Sequence, residues 1–584
     1  MLAIFLCGFV ASNDPRPSLS DAQAWFAAAR EWLDAPTATQ RKSTENDAIS
    51  ALATPVASMP FSAVGVVLRL DGRVVGEAWQ RGPGTPAVRA ALEAALRQAQ
   101  ADTRIAALPA DLRAGLGRRL ALELEFAGEP VPLVGERLDL MASRVEPALE
   151  GFAIRNGDRW VFALPSSVQA HNQANFLNYL ALTLAREVGL DPAASKDLKL
   201  PDGAAAYRLP TRRLGQRSFD APAFESVRGK PLATLASTDA ASVQAMAIDL
   251  ARHLRQRWPN TDALPADAAT AMRALGPRAL YQPSRNEWPE AVSPPADQAL
   301  AALAMAELAS AAWAPAAERD AARAFAIDTL ASIRTVADGE NDPLGDPAAC
   351  GAILLAAKAL DHADDAWADA STRAWLAKVA DPLRKWPADR AAPAPAVAAM
   401  ALAALGRDAS PTLADAAWNA DSAERIVAAS PWLLASGATP PPDAAAAWKR
   451  ALPALMEAQF AARVDGASAE DLDGGWSPGG AAPWPTAQSA RAVVALATAL
   501  QRPELIDATQ RDAARRTLIA GMRFLRQLQV DADACHAFRD AGHAMGGIRA
   551  ASWDSDEPMA ASAYALLASV RALDSLAASA ATRP

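Results

Sequence analysis

Between Val530 and Ser562 the chain reads VDADACHAFRDAGHAMGGIRAASWDSDEPMAAS. Nowhere else do so many metal-capable and acid–base side chains crowd together: Asp531, Asp533, Cys535, His536, Asp540, His543, Asp554, Asp556 and Glu557. Cysteine, histidine and aspartate are competent metal ligands. Neighbouring carboxylates can serve as a proton donor and acceptor when burial and a second acid raise one of them. A plainer role is open to the same acids, because Pro558 follows them at the start of an apolar helical run. Carboxylates there are favoured by the helix dipole. Other stretches offer less chemistry. Asp473–Thr486 is glycine-rich but lacks the Lys-Ser/Thr of a phosphate loop. Asp338–Asp346 lacks the spacing and terminal glutamate of a calcium loop and reads as a solvated loop before a helix. His171, His253 and His362 have no partner motif, and no HExxH or GxSxG pattern occurs.

The elements that must position these residues follow from composition and periodicity. The chain has 584 residues, 51% hydrophobic and 21% charged, with alanine far in excess. That length suits about two to four domains, and that composition leans towards helix. The net charge of -9 with no basic block argues against nucleic-acid backbone binding. Cys7, Cys350 and Cys535 make no disulfide framework, and Cys350 sits in an apolar run as a buried thiol. Residues 1–17 contain the apolar Leu2–Val10 core and a Val10-Ala11-Ser12 cleavage-like site. They are expected to act as a signal peptide, giving a periplasmic or secreted protein, with a cytoplasmic chain as the alternative. No other run suits a membrane span.

Residues 18–225 mix helix and strand. FSAVGVVLRLDGRVVGEAW pairs two apolar runs around Asp71-Gly72, and GFAIRNGDRWVFALP repeats that logic around Asn156-Gly157. Helices are expected near Thr85–Gln100 and His171–Val188, giving an α+β domain. The order VVLRLDGRVVG, helix, ADTRIAALPADLRAGLGRRLALELEF, GFAIRNGDRWVFALPSSV and a helix ending REVGL resembles an AMMECR-type domain. That family carries an Arg-Gly-Cys-Ile-Gly run. Here the corresponding residues are Val75-Gly76-Glu77-Ala78-Trp79, so Glu77 stands where the family has its cysteine.

From residue 240 strand signals vanish. Apolar helices are expected near Gln298, Pro347, Pro395, Ala423, Thr486 and Pro558, alternating with amphipathic ones. In QRDAARRTLIAGMRFLRQLQ, Leu518, Met522, Leu525 and Leu528 share one face; Asp512, Arg516, Arg523 and Gln527 share the other, with Asp512 and Arg516 spaced to pair. Six buried helices inside an outer layer would close a ring. LMEAQ…EDLDGGW and FLRQLQVDADACHAF…MGGI carry the likeness of this half, residues 240–584, to the α/α-toroid of terpenoid cyclases and protein prenyltransferases. The fold class is therefore an α+β N-terminal domain followed by an all-α double-ring (α/α)6 toroid.

That resemblance implies two sites. The cyclase acid motif is Asp-x-Asp-Asp-Thr-Ala, and Asp554, Asp556 and Glu557 in DSDEPMA are its counterparts, with Glu557-Pro558 in place of Asp-Thr. The prenyltransferase zinc site uses an Asp-x-Cys pair and a distant histidine. Asp533 and Cys535 match the pair, Ala561 occupies the histidine's place, and His536 or His543 would substitute, so zinc is the implied cofactor. With both motifs eroded, the expected role is a binding or scaffold protein of the cell envelope. Its degenerate toroid would hold a small-molecule or protein ligand in the central cavity, some of the sixteen tryptophans lining the pocket. The alternatives are an isoprenoid-handling enzyme, cyclase or transferase, and a polysaccharide-active toroid enzyme, which needs paired carboxylates in the funnel.

Overall fold

A computed structural model describes residues 16–35, 62–135, 137–173, 177–190, 199–261, 264–290, 292–337, 346–363, 366–384, 422–436, 439–461, 469–477 and 484–581. The Leu2–Val10 run, the Pro395 helix and most of Asp338–Asp346 lie outside them. The chain forms two compact units. The first comprises Met1–Leu232 with Ala462–Glu470 and His536–Arg539; the second comprises Ala233–Ala461, Asp471–Cys535 and Asp540–Pro584.

The first unit is mixed α/β. Strands β1 (Ala63–Leu70), β2 (Arg73–Arg81), β3 (Ala121–Ala127), β4 (Val131–Pro132), β5 (Glu150–Asn156), β6 (Arg159–Ala163), β7 (Ala204–Gly215) and β8 (Phe224–Glu225) form one antiparallel sheet. Its main path runs β2-β1-β3-β7-β5-β6. Asp71 and Gly72 both have positive φ, 48° and 74°, the requirement of the tight turn that joins β1 to β2. In the second hairpin Asn156 pairs with Arg159, so the loop is Gly157-Asp158, one residue later than the Asn-Gly spacing suggests. Only Gly157 is left-handed there, at 59°, which fits a turn that places glycine first.

Side chains alternate across a strand. One face carries Val64, Val66, Leu68, Leu122, Leu124 and Phe126, all buried against helices α1 (Leu19–Asp34) and α2 (Gly84–Ala101), with Trp25 and Leu92 in the same core. Gly76 is required at this contact, because a Cβ there would meet the Ala95 carbonyl oxygen at 2.0 Å. The other face carries charge, with helix α3 (Pro165–Ala170) above it. Helix α4 (Leu177–Glu187) packs in a smaller core with Phe152, Ile154 and Met141. The sheet curls until its edges approach: Arg81 on β2 lies 4.6 Å over the Trp160 ring on β6.

The second unit is mainly helical: α5 (Ala240–Gln256), α6 (Ala266–Ala274), α7 (Pro295–Ser310), α8 (Ala316–Ala337), α9 (Pro347–Ala363), α10 (Ala370–Arg384), α11 (Ala423–Ser436), α12 (Pro442–Glu457), α13 (Ser489–Gln501), α14 (Arg511–Leu528) and α15 (Met559–Ala581). The apolar helices touch in a closed cycle: α7 to α9, α9 to α11, α11 to α13, α13 to α15, and α15 back to α7. The partners α8, α10, α12, α14 and α5 pack on α7, α9, α11, α13 and α15 respectively. Their patterns match this placement. Helix α7 is buried nearly all round, whereas α5 buries Val243, Met246, Ala247, Leu250 and Leu254 at helical spacing.

Strand pairing does occur in this half, against the sequence pattern: β9 (Leu280–Gln282), β10 (Glu287–Glu290) and β11 (Glu557–Pro558) form a small sheet, order β10-β9-β11. These strands are too short to show a period of two. The amphipathic α14 also differs in detail. Arg523 and Gln527 are buried: Arg523 donates to the carbonyls of Asp471 and Ala233, and Gln527 accepts from the Ala233 N–H at 2.7 Å. Asp512 pairs with Arg515 at 3.2 Å.

Two loops repeat one bonding scheme. Phe460 N–H donates to Gly475 O and Gly474 N–H to Phe460 O; Val530 N–H donates to Gly547 O and Gly546 N–H to Val530 O. Gln459 bridges to Trp476 as Gln529 does to Ile548. The N–H after each glycine pair reaches a helix serine: Trp476 to Ser489, Ile548 to Ser562. In each pair the first glycine is left-handed, at 83° and 88°. A Cβ on Gly474 would meet Ala520 O at 2.1 Å, and one on Gly546 would meet Asp249 O at 2.3 Å. Gly474→Ala is therefore expected to cost about 2 kcal/mol or more in urea unfolding; a loss under about 0.5 kcal/mol would show that the corner yields.

Candidate functional site

The residues singled out by the sequence are dispersed. Asp531 Oδ1 accepts the N–H groups of Asp533 and Ala534, a turn that leads into Cys535. Cys535 is half-buried, its Sγ 3.6 Å from Ala532 O. His536 meets the Phe224 ring edge-on, centroids 5.5 Å apart. His543 instead pairs with Asp540, Nδ1 to Oδ2 2.9 Å, and packs edge-on against Tyr281 and Trp288. Among the described residues no three His, Cys, Asp or Glu side chains are gathered to hold a metal ion. Asp554 Oδ1 accepts the Asp556 N–H at 3.0 Å, and Asp556 Oδ2 accepts from Gln282 Nε2 at 3.0 Å. Both acids thus help close the corner that precedes α15, which begins at Met559 after β11.

Glu557 has a different setting. Strand β11 pairs it with Tyr281 on β9, and the side chain is fully buried beside His253 and Arg257 of the α5 end. His253 Nε2 lies 3.4 Å from Glu557 Oε2. Arg257 donates to Ala279 O at 3.0 Å, to Glu557 O at 2.7 Å and to His253 Nε2 at 2.9 Å. With Nε2 accepting, the histidine proton is assigned to Nδ1. Burial, then the Arg257 charge, hold His253 well below the usual imidazole range. Burial pushes Glu557 well above the usual carboxyl range, opposed by Arg257 and Arg549. Neither Glu557 oxygen has a hydrogen-bond partner among the described residues, so no hydrogen bond offsets the desolvation of its charged form. Gly547 makes room for it: a Cβ there would meet Oε2 at 2.3 Å.

Three polar side chains that sequence reasoning passed over come from the N-terminal ends of three largely apolar helices: Asp297 and Arg491 in the first turns of α7 and α13, and Tyr564 in the second turn of α15. Arg491 Cζ lies 5.3 Å from the Tyr564 ring. All three are half-buried. Burial raises the Tyr564 phenol above its usual value; Arg491 opposes this and Asp297 adds to it. The phenol is therefore protonated at neutral pH. The Arg491 side chain makes no hydrogen bond or ion pair among the described residues, and its Nε is buried without a partner. A guanidinium and a carboxylate thus both stand within electrostatic reach of one phenol. The signal present in the sequence was a polar residue near the N-terminal end of each of three largely apolar helices.

In the first unit Glu77 Oε1 lies 2.9 Å from His171 Nε2, and Ser167 Oγ approaches Oε2 at 3.5 Å. The hydrogen bond to Glu77 raises His171, with burial opposing. On the same sheet face Glu123 bonds Arg69, Nε to Oε1 2.6 Å, and Arg213. Burial disfavours its charge, but Arg213 and Arg69 outweigh that and bring Glu123 down to about 2.

No protein-family model matches the chain, and no curated protein matches it at a significant level. Among solved structures the chain is similar to the uncharacterized protein PH0010 from Pyrococcus horikoshii, at 15% identity and a TM-score of 0.26, over 35% of this chain and 97% of that one.

Proposed function

We propose that the helical unit is a double-ring α/α-toroid, of the type found in terpenoid cyclases and protein prenyltransferases, that binds a small ligand at its mouth without cyclase chemistry. In this reading the first unit is an AMMECR-type domain. The observation that carries the binding role is the convergence of Asp297, Arg491 and Tyr564 from three helices that are otherwise apolar. The closed cycle of helix contacts and the two matched glycine-pair corners support the ring. The absence of cyclase chemistry is supported by Glu557, whose carboxyl is sealed at 0% exposure, and by Asp554 and Asp556, which bind their own corner. The unpaired Arg491 selects for an anionic group on the ligand.

The test uses inorganic diphosphate and farnesyl diphosphate in equilibrium dialysis, with mass spectrometry of the mixture. Saturable binding without product is expected, weakened about tenfold by Arg491→Ala. Conversion of farnesyl diphosphate would sink the reading in favour of an isoprenoid enzyme; so would affinity indifferent to Arg491. A cell-envelope location belongs to the same reading and rests on Leu2–Val10 alone. An intact N-terminus found in a cytoplasmic fraction would remove it. Among the described residues no helix is long and apolar enough to cross a membrane.

A further inference from the structure

The first unit carries a second cationic feature, independent of the ring. Where the curled sheet brings its edges together, two arginines share one indole. Arg81 Cζ lies 4.6 Å from the Trp160 centroid, and Arg155 Cζ lies 5.6 Å from it. Arg155 is also 5.8 Å from the Tyr207 ring, which tilts against Trp160 at 4.8 Å. The register explains the grouping. Arg155 on β5 sits directly opposite Trp160 on β6, and Tyr207 on β7 opposes Ala153, two residues from Arg155 on the same face. Trp79, two residues before Arg81 and on its face of β2, is 44% exposed.

Among the described residues neither guanidinium has an acid. Other arginines of this unit find one: Arg69 and Arg213 share Glu123, Arg208 takes Glu150, Arg212 takes Glu225, Arg137 takes Asp139. The chain has 66 acidic residues against 57 basic, so acids are not scarce. Yet the side chains of Arg81 and Arg155 make no ion pair or hydrogen bond among the described residues, and Arg155 Nε is buried without a partner. Stacking uses the flat face of a guanidinium and leaves its in-plane N–H donors unused. Trp160 and Tyr207 are half-buried and Arg81 is exposed, so both the donors and the rings are accessible.

From this pairing of unsatisfied in-plane donors with stacked aromatic faces, we infer that Arg81, Arg155, Trp160 and Tyr207 form a binding site for a small planar-ring ligand bearing a phosphate, a mononucleotide being its simplest form. The arginines hold the phosphate through fork-shaped hydrogen bonds. The rings take the base by stacking. Two cations near one ring also repel each other, and a bound dianion relieves that repulsion.

Calorimetric titration of the full chain with AMP, adenosine and inorganic phosphate tests the site. AMP is expected to bind with a dissociation constant of about 1 mM or tighter. Arg81→Ala should weaken it about tenfold, and Arg81→Ala with Arg155→Ala about a hundredfold. Trp160→Leu should bring AMP down to the affinity of phosphate alone. Arg81 is at an exposed strand end, so its single variant keeps the test alive if the double variant does not fold. An AMP affinity unchanged by Arg81→Ala, or no saturable heat with AMP, overturns the proposal. Adenosine binding as tightly as AMP overturns it equally, because the phosphate contact is then absent.

Discussion

Arg257→Ala is expected to destabilise the helical unit by about 3–5 kcal/mol, while Glu557→Gln costs less than about 1 kcal/mol. The difference comes from charge state. Arg257 is fully buried and donates to three backbone carbonyls and to His253, so its removal orphans several acceptors at once. Burial brings its guanidinium down to about 10, which still leaves it charged at neutral pH. Glu557 is raised instead, and a glutamine reproduces the shape of a neutral carboxyl. Because its folded value lies above the ordinary 4.5, the native state holds a proton that the unfolded chain has lost. Its contribution is fully present below pH 4.5 and declines as pH rises towards the folded value. Glu557→Gln should therefore gain on the wild type in urea titrations as pH rises above 4.5. A loss as large as that of Arg257→Ala would mean that Glu557 is ionised and paired.

Glu123→Ala should be as damaging in the first unit, about 3–5 kcal/mol, because it strands Arg69 and Arg213, both almost fully buried, without their acid. The pH signature has the opposite sign. The folded value of Glu123 is about 2, below the ordinary 4.5. Its stabilisation is present above pH 4.5 and is lost as pH falls towards 2, a swing of about 3 kcal/mol. Thermal unfolding of the wild type and of Glu123→Gln across that window checks this. The wild-type advantage should shrink with acid, and a constant gap would show that Glu123 carries no charge-dependent stability.

Much of the architecture was legible because it rests on local chemistry. Asp71-Gly72 announces a turn that needs two left-handed residues, and the glycine pairs at Gly474 and Gly546 sit where only glycine clears a carbonyl. The slip at Gly157-Asp158 was not legible, since Asn-Gly and Gly-Asp are both sound turn pairs and cross-strand register decides between them. Nor were β9 to β11, whose pairing joins residues some 270 apart in sequence. The acidic run misled by proximity. Along the chain Asp554, Asp556 and Glu557 look like one constellation, but alternation on an extended segment sends Glu557 into the core and ties Asp556 to Gln282. Conversely, Asp297, Arg491 and Tyr564 are far apart in sequence, and only packing of α7 and α13 on α15 brings them together. Arg81 and Trp160 likewise meet only because the sheet curls.

The contact of α15 with α7 has a consequence for synthesis. A helical array that is open at its ends can add and consolidate units as they leave the ribosome, each capping the last. Here Met559–Ala581 covers α7 and α13 as well as α5, so the apolar flank of α7, made about 260 residues earlier, stays uncovered until Met559–Ala581 is translated. The nascent chain must be kept from aggregating throughout that interval. A premature stop before Met559 would release a chain with the flanks of α7, α13 and α5 all uncovered rather than one missing helix.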